Sequence, residues 1–396
     1  MDWASYYKDA LGYAKRNIAG SALFAYNVNI DAVKYLRGGE KFPKRIASLL
    51  KRCIKKGRES EVMVDEKTLN LLMEEVGYDE MRMGGQAGNM SNVASSLRVR
   101  CYTHVPSKCS EQMKLFEHPE NIFVADGSFK NPQAVHHECA VPIHFVMEFS
   151  KGYTLGKVEA PNSNRLIASY NPPCAVLEID PEFERLASKI IDRVGRAVIS
   201  GFHNPTIGGD FARRVENVRK HVEELKGLNR NLEVHVELGD FRHLRVLKEV
   251  TRQILPLCDS VGFNENELEQ IKKVTGIKGD LWESCDRICS MFCSAVFHRP
   301  QFSLFVSRES SSEKPILFGS LLAAHRAAVG RNATFKELEE FIRDIKVNGK
   351  GVRGYEKFRK VRFRNNAYFA PALDIGEPKM TVGLGDCFTA GYFLTK

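Results

Sequence analysis

Near the C-terminus, Thr381-Val382-Gly383-Leu384-Gly385-Asp386 sets a glycine turn in front of a helix-compatible stretch and fixes an aspartate at that turn. Free amides at a helix start, together with the positive end of the helix dipole, can hold a phosphate. An aspartate beside that anion can take the proton from an attacking hydroxyl, help typically worth about 10²–10⁴-fold. The motif alone serves equally well as a loop aspartate capping a helix, so other residues have to decide.

A second group lies at Asn27, Asn29 and Asp31. Alternate positions on a strand share one face, here opposite Val28 and Ile30. Two amides and a carboxylate in a row offer donors and acceptors to a polyhydroxylated ligand. A wet edge strand would favour Thr, Lys or Glu over two asparagines, which are depleted in strands. A third group, Met83-Gly84-Gly85-Gln86-Ala87-Gly88-Asn89, puts glycines and amides where a helix begins and lets backbone approach a ligand. By itself it is a helix N-terminus.

The fourth group is acidic. His235 and Glu237 project from one face of an expected strand end, and Asn264 and Glu267 sit three apart where a helix follows a strand. Ligands of α/β proteins bind at the carboxyl ends of parallel strands. Oxygen donors there suit Mg²⁺ held partly through water. Glu267 reads equally as a first-turn helix carboxylate, and His235 as a satisfied structural histidine. Cys285, Cys289 and Cys293 stack on one helical face; they read as small buried side chains of an amphipathic helix rather than a metal site.

The elements that must position these groups are legible in the second half. Asp180-Pro181 reads as an N-cap with proline at the first helical position, in a helix ending near Gly195. A strand follows at 197–200, then a helix over about 210–227 with Phe211, Val215, Val218, Val222 and Leu225 on one face. Strands at 232–237, 260–263 and 302–307 alternate with helical segments, and Thr334 and Glu337 have capping-box spacing. Such alternation implies right-handed crossovers and a parallel sheet covered on both faces. Residues 140–172 break the rhythm as an antiparallel ribbon, which with residues 27–40 makes a small sheet over the main one.

Length and composition bound the class. With 396 residues, 43% hydrophobic and 27% charged, the chain can bury a large domain and a smaller one. No apolar run is long enough to span a bilayer, and the first twenty residues lack the order of a signal peptide; the expectation is a cytoplasmic protein without membrane partners. The net charge of +9 gathers at 41–58 and 346–364. Neither stretch interleaves aromatics as a nucleic-acid module does, so a solvated basic face or attraction for a phosphorylated small molecule is expected, with no nucleic-acid partner.

In order along the chain, these segments resemble the ADP-dependent sugar kinases of archaeal type, the ADP-dependent phosphofructokinase and glucokinase family of the ribokinase-like superfamily. The resemblance implies a large α/β domain with a central, mostly parallel sheet flanked by helices (residues 1–26, 81–138 and 173–396). A small discontinuous β-sheet lid would comprise 27–80 and 139–172. It implies ADP with Mg²⁺ as phosphoryl donor, AMP as product, and a sugar or sugar phosphate as acceptor. Asp386 would be the base and Gly383 and Gly385 part of the anion hole. Asn264, Gly383, Leu384 and Gly385 would meet the nucleotide. Glu237, Glu267 and Asp386 would attend the metal. Asn27, Asn29, Asp31, Gly85, Gln86, Asn89 and Arg165 would meet the acceptor. The chain is short for the family. Lys151, Lys157 and Arg165 could build a phosphate pocket, which favours fructose 6-phosphate or ribose 1-phosphate over glucose. The rival expectations are an ATP-dependent ribokinase-like sugar or nucleoside kinase and a non-catalytic binding protein on the same fold.

Overall fold

The computed structural model describes residues 2–57, 60–139, 142–170, 172, 177–204 and 210–396. Two sheets organise them, one of ten strands and one of five.

The larger sheet runs, from one edge, 366–371, 302–307, 294–299, 260–263, 233–237, 196–199, 21–25, 100–103, 122–126 and 128–130. From 294–299 to 122–126 every neighbouring pair is parallel, and antiparallel strands finish both edges. Alternation along each strand explains its central place. Leu23 and Ala25 enter an apolar cluster on one face while Ala22 and Phe24 enter a second on the other, so both faces are covered, as parallel sheets require.

The expectation for 302–307 needs a correction. It is no parallel crossover strand but the second arm of a hairpin with Ser294–Arg299, turning through Pro300-Gln301 with Arg299 opposite Phe302. Proline at the turn and an unread first arm that follows directly on the helix Leu281–Met291 concealed it.

The smaller sheet has the order 60–63, 164–170, 143–149, 29–36 and 80–84. The expected antiparallel ribbon is the pair Ile143–Phe149 and Asn164–Tyr170, joined to Asn29–Leu36 in parallel; Val141 lies outside the described residues. The helix Lys44–Lys56 buries Ile46, Leu50, Cys53 and Ile54 against this sheet. Lys44, Arg45, Lys51, Arg52, Lys55 and Lys56 consequently face solvent, so the first basic cluster is the polar face of an amphipathic helix. The second surrounds the helix Gly349–Phe358, where Lys350, Arg353, Lys357 and Arg359 are exposed. Among the described residues no helix is long and apolar enough to cross a membrane.

The chain passes between the sheets repeatedly: from 21–25 to 29–36, from 80–84 through the helix Gln86–Ser96 to 100–103, from 128–130 to 143–149, and from 164–170 through the helix Pro181–Ile190 to 196–199. Asn27, Gly85, Gln86 and Asn89 of the candidate ligand residues lie on these passages.

Candidate active site

Asp386 occupies the first turn of the C-terminal helix Leu384–Thr395, with Gly383 as the N-cap residue and Leu384 and Gly385 between them. The first amides of a helix have no partner within it, so the turn has the donors that an anion needs. Asn89, from the first turn of the helix Gln86–Ser96, donates Nδ2 to Asp386 Oδ2 at 2.8 Å. The third motif of the sequence is thereby joined to the first. Burial, and then the neighbouring charge of Glu237, raise the Asp386 carboxyl to about 6, against the Asn89 hydrogen bond, Arg326 and His298.

Glu237 closes the strand Glu233–Glu237 and is buried. Its Oε2 meets His235 Nε2 at 3.1 Å and accepts from Thr389 Oγ1 at 2.9 Å, while Oε1 meets His298 Nε2 at 3.0 Å. Burial pushes this carboxyl up, but the hydrogen bonds and charge of the two histidines hold it at about 2. His235 uses its other nitrogen on Ser260 Oγ at 2.7 Å, and burial lowers its pKa. It is the satisfied structural histidine expected, serving the carboxylate.

Asn264 and Glu267 form a full capping box on the helix Glu265–Thr275. Glu267 Oε2 accepts from the Asn264 amide at 2.7 Å and Oε1 from its side chain at 2.9 Å. Among the described residues no three His, Cys, Asp or Glu side chains converge to hold a metal ion. Glu237 Oε1 carries one bond and so retains acceptor capacity, and the set fits Mg²⁺ carried by phosphate oxygens and water, not a protein-made cage.

The acceptor side departs from the expected single face. The small-sheet strand begins at Asn29, and Asn27 lies in the passage before it, because here the chain leaves one sheet for the other. Asn27 Oδ1 accepts from Ser200 Oγ at 2.9 Å and so ties that passage to the large sheet. Asn29 and Asp31 do share a face: Asn29 Nδ2 donates to Asp31 Oδ1 at 2.9 Å, and Asn29 Oδ1 is buried without a partner. Burial raises Asp31 to about 6, opposed first by Arg82. A β-carbon on Gly85 would fall 2.6 Å from the Asn27 carbonyl, so only glycine allows this approach. Gln86 donates to the Leu238 carbonyl at 2.7 Å and accepts from the Gly201 amide at 3.3 Å, pinning the helix start to two large-sheet strand ends. Arg165 reaches from its strand to the Thr381 carbonyl at 3.2 Å, just before the glycine turn. Lys151 and Lys157 are exposed around the hairpin Thr154–Leu155 and Val158–Glu159.

Several groups here escaped the sequence reading. His298 comes from the unread hairpin arm. Arg326 comes from the helix Lys314–Val329, where an alanine-rich pattern hid one buried guanidinium. Glu61, on the strand Ser60–Met63, pairs with Arg242 from the loop after Glu233–Glu237 at 2.7 Å and accepts from Ser169. Burial pushes Glu61 up, but His144, Arg242 and His203 bring it below its ordinary value. Burial depresses His203 to about 4 and lowers His144 as well. No short motif marks these residues, which meet only because the two sheets face each other.

The cysteines behave as expected: Cys285, Cys289 and Cys293 are buried, and burial pushes their thiols up.

The conserved region of ADP-specific phosphofructokinase/glucokinase matches residues 41–395. The chain is 26% identical to the ADP-dependent glucose/glucosamine kinase of Pyrococcus abyssi (strain GE5 / Orsay), over 100% of this chain and 99% of that protein. It is 27% identical to the ADP-specific phosphofructokinase of Pyrococcus horikoshii, over 94% and 96% respectively. A solved ADP-dependent kinase in complex with fructose-6-phosphate and ADPβS superposes with a TM-score of 0.89 at 23% identity, covering 100% of this chain and 98% of that one.

Proposed function

The chain belongs to the ADP-specific phosphofructokinase/glucokinase family, and on that premise we propose that it transfers the β-phosphoryl group of ADP to a hydroxyl of a sugar or sugar phosphate, releasing AMP. The observation that carries this reading is Asp386 at the start of the C-terminal helix. It is held by Asn89 from the opposite side and raised to about 6, where a carboxylate can exchange a proton near neutral pH. The acceptor hydroxyl gives its proton to Asp386 while its oxygen attacks the β-phosphorus. The amides of the Gly383–Gly385 turn receive the negative charge that develops on the transferring group.

Magnesium entering with the nucleotide would neutralise phosphate charge, with Glu237 and Glu267 accepting hydrogen bonds from its waters and Asp386 close by. Asn264 and Leu384 stand on the nucleotide side. Asn29, Asp31, Gly85, Gln86, Asn89 and Arg165 stand on the acceptor side, where Asn27 acts through its hold on Ser200. The small sheet serves as a lid that keeps water from ADP.

A phosphorylated acceptor, fructose 6-phosphate or ribose 1-phosphate, is the first reading. Its support is Arg165, which sits against the loop leading into the catalytic turn. A second reading, an unphosphorylated hexose or amino sugar, has its own observation. Arg82 and Arg242 are matched by Glu148 and Glu61, and the Asp31 and Glu61 carboxylates are acceptors suited to hydroxyl or ammonium groups.

The deciding experiment supplies ADP or ATP with Mg²⁺ to the purified protein, with glucose, glucosamine, fructose 6-phosphate and ribose 1-phosphate as acceptors. AMP release with phosphorylated product, lost in Asp386→Ala, is the expected result. The best acceptor separates the two readings. ATP as the better donor, or turnover surviving in Asp386→Ala, overturns the proposal.

A further inference from the structure

The helix Lys314–Val329 is apolar almost throughout, with Ile316, Leu317, Phe318, Leu321 and Leu322 buried. Arg326 interrupts it with a guanidinium that is 5% exposed. A charge taken out of water is costly unless it is paired or used. Its Nη1 donates to Asn332 Oδ1 at 2.5 Å, and Asn332 Nδ2 donates in turn to Glu117 Oε2 at 2.9 Å. The counter-charge is therefore one residue removed, on an exposed side chain. Nε is buried without a hydrogen-bond partner. Nη2 lies 3.2 Å from the point that a β-carbon on Gly383 would occupy, and Asn89, the partner of Asp386, lies 3.3 Å from the same point. One side of the guanidinium is tethered, and the other abuts the back of the glycine turn.

We propose that Arg326 is a positioning residue for phosphoryl transfer, a buried cation behind the Gly383–Gly385 turn that strengthens the turn's hold on the transferring group. The proposal rests on the phosphoryl-transfer reading given above. In that step the acceptor oxygen bonds to the β-phosphorus and the hydroxyl proton passes to Asp386. The bond from the β-phosphorus to the bridging oxygen breaks, and AMP leaves with that oxygen and its electron pair. Negative charge shifts on the phosphoryl oxygens during the step, in a site from which water is being excluded. A fixed cation counts for most under those conditions, and most of all in the transition state. The other charged side chains at the turn are Asp386 itself, Arg165 on the Thr381 carbonyl just before it, and Glu237 from the strand 233–237, whose Oε1 is bound by His298 from the strand 294–299. Arg326, lacking a direct carboxylate partner among the described residues, projects its charge at the turn.

The test compares Arg326→Gln, Arg326→Lys and Asn332→Asp with the parent chain, reading kcat and KM with ADP and the best acceptor, ADP affinity by calorimetry, and thermal unfolding. Arg326→Gln keeps a donor for Asn332 but removes the charge. It is expected to lower kcat by about 10–100-fold with ADP affinity nearly unchanged, because the lost interaction belongs to the transition state. Arg326→Lys restores most of that loss. Asn332→Asp changes no volume, sets a carboxylate directly on the guanidinium, and lowers kcat in the same selective way. Equal losses in ADP affinity and kcat, an unchanged kcat in folded Arg326→Gln, or a lysine variant as slow as the glutamine one overturns the proposal. Should Arg326→Gln fail to fold, an unchanged kcat in Asn332→Asp does so. Turnover that survives in Asp386→Asn refutes the phosphoryl-transfer reading itself; turnover lost there but kept in Arg326→Gln refutes only the role of Arg326.

Discussion

Gly262 stands in the strand Ser260–Phe263 next to Glu237, and a β-carbon built on it would fall 2.0 Å from Glu237 Oε2 and 2.8 Å from His235 Nε2. The Gly262→Ala variant must therefore displace Oε2. That oxygen meets His235 Nε2 and accepts from Thr389 Oγ1. Hydrogen bonds to a charged group contribute about 1.5–3 kcal/mol each, so losing both costs about 3–6 kcal/mol. Alanine recovers about 0.4–1 kcal/mol by restricting the unfolded chain. The net loss is a large part of a typical stability of about 5–15 kcal/mol. Turnover should fall too, by about 100-fold if the catalytic turn moves by an ångström, since Thr389 and Asp386 ride on one helix. Urea unfolding and steady-state kinetics measure both effects. Gly227→Ala is the control: it lies in the last turn of the helix Phe211–Leu228 and its β-carbon meets nothing within 4 Å, so the change should leave the urea midpoint unchanged or raise it slightly. An unchanged urea midpoint together with unchanged turnover in Gly262→Ala would refute the account of Glu237 as a carboxylate locked between two elements.

The remaining expectations are more direct. Asp386 accepts a proton only when ionised, and its carboxyl is raised to about 6, so turnover should rise with pH through about 6 and level off above; Asp386→Asn should cost about 10²–10⁴-fold. Asn89→Ala removes a donor that favours the ionised form, so a pH–rate profile should show that limb at higher pH. Arg242→Ala breaks the cross-sheet pair with Glu61, a pair partly exposed to water. Its effect on melting temperature should be small, since such pairs contribute about 0–1 kcal/mol, whereas KM for the acceptor should rise. A thiol reagent should modify exposed Cys139 quickly and the buried Cys285 and Cys289, whose thiols burial pushes up, only on unfolding.

The sequence marked the elements whose signals are local. The strand at 260–263, the capping box at Thr334–Glu337 and Glu267 in the first turn of its helix stand where their residue types placed them. Asp386, Asn89 and Asp31 were found because a turn, a helix start or a strand alternation announces them. What stayed hidden has a common physical cause. Arg326, His298 and the Glu61–Arg242 pair gain their meaning from neighbours dozens of residues away, and nothing in their own surroundings distinguishes them from an ordinary buried or paired charge. Asn27 illustrates the converse. Its spacing to Asn29 and Asp31 is that of one strand face, yet the strand begins after it, because chain direction is set by which sheet each residue joins.

The order of the small sheet carries a consequence for how such an enzyme can change over generations. Strands 29–36 and 80–84 form one margin, where Asp31, Asn29 and Gly84 are fitted so closely that a β-carbon at Gly84 would fall 2.2 Å from Asp31 Oδ1. Strands 60–63 and 164–170 form the opposite margin, carrying Glu61 and Arg165 in looser, partly exposed settings. Mutation is therefore tolerated unevenly across one sheet. On the function proposed above, the closely fitted first margin would keep the reacting hydroxyl in place, while the second could drift and alter what hangs from the rest of the acceptor. A lineage can acquire a new sugar by changes at that far margin without relearning the chemistry.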